Sequence, residues 1–168
     1  AALGDQQAIA QIGEALERGE IALSHHFIAA LGRSQRAELI PYLKRGEDSA
    51  EDELKLPFAA ARLDLGDSSA QATFHAAFND PNPEVALDAL DHLIPIEAEE
   101  VNQLLKRAQT TSDAEIKWYA LLASVARHQA GPDKLITALN EENWEVRLWA
   151  TRFSGALLAD PSSSRRET

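Results

Sequence analysis

Apolar side chains recur at helical spacing along nearly the whole chain. Ala8, Ile9, Ile12, Ala15 and Leu16 share one helical face, which predicts a first helix from Asp5 to Arg18, capped by Asp5 and stopped at Gly19. A second helix is expected from Ile21 to Leu31, ending at Gly32, and a third opens at Ser34 and carries Leu39 and Leu43. Pro41 should bend that third helix, which stops near Gly46. The acidic run 46–53 reads as a turn and a helix start, where negative charge suits the positive end of the helix dipole. The next helix runs from Glu51 to Leu65 with Pro57 as an internal kink. A short one follows from Ser68 or Ser69, with Ala70, Phe74, Ala77 and Phe78 on one face. Asn82 caps and Pro83 begins a helix that Pro95 ends. Glu97 to Gln109 turns Val101, Leu104, Leu105 and Ala108 inward. Further helices are read from Asp113 to about His128, from Asp133 to Asn140, and up to about Leu158. Alanine and leucine dominate the apolar residues, which favours helix over sheet.

Three segments of this pattern repeat. Phe78–Ala89, Gln109–Ala120 and Leu139–Ala150 each join a helix end, a polar turn and a new helix start. Val85, Ile116 and Val146 stand 31 and 30 residues apart, and Ala89, Ala120 and Ala150 follow them four places on. A small residue there lets neighbouring helices approach closely. Leu54 extends the register upstream, but Phe58 takes the alanine's place, so different stacking is expected at that point.

Helix pairs of this length, a turn rich in Asp, Asn and Pro, and the Glu145-Val146-Arg147-x-x-Ala150 signature resemble HEAT repeats. The likeness is greatest to the short bacterial PBS-lyase-type kind, and it covers about Glu51 to Leu158. It implies an all-α, right-handed α-solenoid (superhelix) of stacked antiparallel helix pairs. Residues 1–46 would then be an N-terminal cap or degenerate repeat, 47–158 the repeats, and 159–168 a disordered tail. The resemblance further implies a ladder between a turn acid and an arginine six residues later. Glu141 and Arg147 have that spacing, whereas Asp80 meets Ala86, Lys117 meets Thr111 and Lys55 meets Ser49. A concave face would be lined by the helices holding Phe74/His75, Gln103/Lys106 and Lys134/Thr137.

Charge narrows the partners. A net charge of -11 argues against a non-specific grip on nucleic acid or anionic membrane, and favours a basic protein partner. No apolar run approaches the roughly 20 residues of a membrane span, so no membrane insertion is expected. The start at Ala1 without any Met fits a cleaved signal peptide, a trimmed chain or a fragment. The cytoplasm is favoured, with the periplasm following if Ala1 succeeds a cleaved signal peptide.

Chemistry is sparse. Without cysteine there is no disulfide, thiol catalysis or cysteine-bound zinc. His25 and His26 are adjacent, so on a helix they point about 100° apart and do not converge on a metal. Carboxylates such as Glu97, Glu99 and Glu100 lie along solvated faces, and no nucleophile-elbow, Walker or dinucleotide motif occurs. No catalytic residue, cofactor or metal is expected. The tryptophans Trp118, Trp144 and Trp149 fall in the last third. Trp149 is expected to fill the core between repeats. Trp144, between Asn143 and Glu145, is expected at the surface, where nearby Lys117, Arg147 and Arg152 would complete a protein-binding spot. The expected contact residues are Trp144, Arg147, Lys117, Trp118, Lys106, Lys134 and His75. The chain therefore reads as a non-catalytic scaffold or adaptor. The alternatives are an immunity or regulatory inhibitor of a basic partner, a chromophore-lyase-like protein, or a helical-repeat DNA glycosylase-like enzyme, which would need a basic track for phosphates.

Overall fold

A computed structural model describes the backbone of residues 2–17 and 23–159, and the side chains of residues 7–16 and 23–155. The described residues form ten α-helices, two short 3-10 turns and no strand, so the protein is all-α. In chain order the helices are α1 (Ala2–Glu17), α2 (His25–Gly32), α3 (Ile40–Ser49), α4 (Asp52–Asp64), α5 (Gln71–Ala77), α6 (Pro83–Leu93), α7 (Glu99–Ala108), α8 (Ala114–Ala126), α9 (Asp133–Leu139) and α10 (Trp144–Ala159). Two compact units result. The first holds Ala1–Asn79 with Pro95–Glu100, and the second holds Asp80–Ile94 with Val101–Thr168. No described helix is long and apolar enough to cross a membrane.

In the first unit α1 packs on α3, α2 on α4, and α3 on α4. The core gathers Ile9, Leu16, Ile28, Leu31, Leu39, Leu43, Phe58 and Ala61. Its local starts differ from expectation in three places. Helix α1 begins at Ala2, so Asp5 lies inside it, and the expected stop at Gly19 falls outside the described residues. Helix α2 begins at His25 because the Ser24 hydroxyl accepts the Phe27 N–H at 3.2 Å; the expected start at Ile21 is outside the described residues. Ser34 opens no helix. Its hydroxyl donates to the Leu31 carbonyl at 2.6 Å and closes the turn after α2. A 3-10 turn at Ala37–Leu39 then leads into α3, where Pro41 sits in the first turn and not near the end. A proline there removes an N–H that has no intrahelical partner anyway, so it costs α3 nothing and the helix runs on to Ser49.

The large Phe58 is fully buried, where the register calls for alanine. Space for it comes from α3: a methyl group added at Gly46 would lie 2.7 Å from the Phe58 ring. The α2–α4 crossing is equally close, since a methyl at Gly32 would lie 2.8 Å from the Ala61 Cα. Helix α4 runs through Pro57, which is buried.

Arg62, also on α4, is 5% exposed and fully engaged. Its guanidinium donates to the Glu47 carboxylate, to Asp67 Oδ2 at 2.9 and 2.7 Å, and to Ser69 Oγ at 2.7 Å. Thr73 donates its hydroxyl to the other Glu47 oxygen. Burial pushes the Asp67 carboxyl up, but hydrogen bonds from Ser69 and Arg62 outweigh it and hold the group below its usual range. The acidic run thus supplies more than a solvated helix start, because Glu47 is a buried counter-ion.

In the second unit the register helices pack in succession, α6 on α8 and α8 on α10, while α9 packs on both α8 and α10. Ala89, Ala120 and Ala150 are each fully buried. Ile116 and Val146 are buried and Val85 half-buried. The three helices also start alike. Asn82 accepts the Glu84 N–H at 3.1 Å, Asp113 the Glu115 and Ile116 N–H groups at 2.8 and 3.0 Å, and Asn143 the Glu145 N–H at 2.8 Å. Each capping residue stands three places before its apolar register residue.

Candidate functional site

Among the described residues, the large apolar side chains that stand exposed are Ile136, Leu139, Trp144 and Leu148. All four belong to the α9–α10 hairpin. Ile136 and Leu139 are three residues apart on α9, and Trp144 and Leu148 four apart on α10, so each pair shares a helix face. The inward positions of the same helices, Leu135 and Ala138 on α9 and Val146, Ala150 and Phe153 on α10, are buried. The exposed pairs are therefore surplus to the core of the hairpin. Trp144 is 62% exposed, as its polar neighbours led us to expect.

The turn that presents Trp144 is held by polar contacts. Arg147 donates to the carbonyls of Glu141 and Glu142 at 2.7 and 2.8 Å. The expected acid–arginine pair is thus replaced by an arginine that satisfies turn carbonyls, because its side chain folds back along its own helix end. Asn143 uses its oxygen to cap α10 and its amide to donate to Glu115 Oε1 at 3.0 Å. That contact ties the first turn of α8 to the residue that caps α10, two places before Glu145. Loss of solvent raises the Glu145 carboxyl above its usual range, and the charge of Glu115 and a hydrogen bond shared with it raise it further.

A second group spans the register helices. Tyr119 on α8 is buried and donates its hydroxyl to Asp91 on α6. Arg152 on α10 donates to the Tyr119 oxygen and to Asp91 Oδ1, each at 3.0 Å. Burial first, and then the hydrogen bond and charge of Asp91, push the Tyr119 phenol well up, so it stays a neutral donor. Trp149 packs edge-on to the Tyr119 ring at 5.0 Å, and Phe153 does so at 5.5 Å. Trp149 is half-buried against this ring and is not one of the fully buried core residues expected between repeats. Arg152 belongs to this network and not to a free basic spot beside Trp144.

The remaining expected contact residues are scattered. Lys106 on α7, Lys117 on α8 and Lys134 on α9 are exposed, and Trp118 is half-buried. Lys134 already pairs with Asp133 at 3.0 Å. His75 is half-buried in the first unit. Its neighbour Phe74 is fully buried and lines no surface, since its ring is part of the core. Sequence reasoning missed Ile136, Leu139 and Leu148, all apolar residues off the buried face. It also missed Asp91. A signal for Asp91 did exist: it stands six places after Val85, as Arg152 stands six after Val146, with opposite charge.

Elsewhere, a cleft of about 450 Å³ in the first unit is lined by Arg33, Gln35, Asp64, Gly66, Glu97 and their neighbours. Burial raises the Asp64 carboxyl, Arg33 lowers it and Glu97 raises it, so this cleft brings its own counter-ion. No three described His, Asp or Glu side chains are placed to hold a metal ion. No family model, curated protein or solved structure was found to match the chain.

Proposed function

We propose that the protein is a non-catalytic interaction module, a short right-handed HEAT-like solenoid of antiparallel helix pairs that binds another protein through its α9–α10 hairpin. The carrying observation is that, among the described residues, the exposed large apolar side chains all lie on that hairpin: Ile136, Leu139, Trp144 and Leu148. Exposed tryptophan with an aliphatic neighbour is the composition of a binding hot spot, not of an idle surface. The HEAT-like reading is supported by three capped helix starts in register, by the successive packing of α6, α8 and α10, and by the full burial of the alanine at the fourth register position of each.

The test is a double substitution, Trp144→Ser with Leu148→Ser. Both side chains are more than half exposed, so the circular dichroism spectrum and melting curve should stay close to those of the parent. A partner captured by the parent chain, then purified and titrated, should bind the double variant at least about tenfold more weakly. Equal affinity for the two chains would sink the hairpin as the binding surface.

A further inference from the structure

The hairpin is flanked by negative charge that no described cation pairs with. Glu141 and Glu142 lie in its turn, and Glu145 lies next to Trp144 in the first turn of α10. Asn143 holds the Glu115 carboxylate at 3.0 Å beside the start of α10, where its charge acts on Glu145, the residue that follows the exposed tryptophan. Among the described residues no cation pairs with either. The nearest arginine in sequence, Arg147, is spent on the Glu141 and Glu142 carbonyls. Like charges held in contact are unfavourable, and a cation placed between them would relieve that cost. Beside them the Trp144–Leu148 face offers apolar area and an indole ring, which itself attracts ammonium and guanidinium groups.

From this we infer that the occupant of the hairpin is an amphipathic basic segment of a partner protein. Its apolar side chains cover Trp144 and Leu148, and a lysine or arginine sits against the Glu115–Glu145 pair. The inference rests on the reading of the hairpin as a protein-binding surface and adds the chemistry of the partner. Charge complementarity selects this occupant: an acidic couple that no described cation pairs with stands at the same helix start as an exposed apolar pair, on a chain of net charge -11.

The experiment titrates the full chain with a synthetic amphipathic peptide of leucine and lysine, and with its leucine–glutamate counterpart. The lysine peptide should saturate at one per chain and the glutamate peptide should not bind. Glu115→Gln with Glu145→Gln should weaken the lysine peptide about tenfold and flatten its salt dependence. Removing two exposed acids in the first unit, Glu51→Gln with Glu53→Gln, should leave it unchanged. Equal weakening by both pairs would reduce the effect to net charge and overturn the inference, as would equal binding of the glutamate peptide. A natural partner that needs Trp144 and Leu148 but ignores Glu115 and Glu145 would leave the binding surface standing and remove only its basic occupant.

Discussion

Helix α4 in the first unit and helices α6, α8 and α10 in the second share one sequence register, yet they meet their neighbours differently. In the second unit the fourth position is alanine three times, each fully buried, and the charged residues stay at the surface. Arg152 and Asp91 bridge the register helices with side chains 58% and 46% exposed. In the first unit the same position is Phe58, the neighbouring helix answers with Gly46, and a charged group, Arg62 with Glu47, is taken inside. The difference teaches that the register prescribes a close crossing without prescribing which side yields the space. It also places the two arginines at opposite ends of the energy scale, because desolvation makes a partner mandatory for Arg62 and optional for Arg152.

The largest expected effect breaks that contrast directly. Arg62→Met leaves Glu47 buried without its cation and should cost about 3 kcal/mol in urea unfolding. Glu47→Gln in the same background should recover part of it. The loss is pH-dependent with a definite sign. Asp67 is held below its usual range, so its contribution is present above about pH 4 and vanishes as pH falls through its depressed folded value. Parent and variant should therefore draw together in acid. Should they instead stay equally far apart down to pH 2, the Arg62–Asp67 contact contributes nothing to stability.

Gly46→Ala comes next. The added methyl collides with the Phe58 ring and should cost about 2 kcal/mol, with Phe58→Leu in the same chain returning much of it. Additive losses would mean that the glycine and the phenylalanine do not exchange volume. Smallest is Arg152→Ala, expected to cost below about 1 kcal/mol. Thermal melting that drops as far as for Arg62→Met would erase the distinction between the two networks.

Much of the fold was legible in the chain. The breaker-bounded helices from Pro83 onward, the inward residues of α7, and the Asn82–Pro83 start follow from local rules that act within a few residues. The first fifty residues were harder to read. There Ser34 and Pro41 carry signals that fit either a turn or a helix start, and only packing chooses. The candidate site was half legible. Trp144 announced itself by its polar flanks, whereas Leu148 and Ile136 looked like ordinary core residues of amphipathic helices.

The sequence by itself determined the helical class, the 31- and 30-residue register and the small residues at its crossings, since periodicity and capping are local. Tertiary structure alone decided which partners meet across distance. Glu47 closes on Arg62, Asp91 on Tyr119 and Arg152, and Glu115 on Asn143; the register marks Asp91 and Arg152 as equivalent places, but which groups meet depends on how the helices pack. It also decided which apolar residues stay in water. A helix face is buried only when another element covers it, and the described helices leave Trp144, Leu148, Ile136 and Leu139 uncovered.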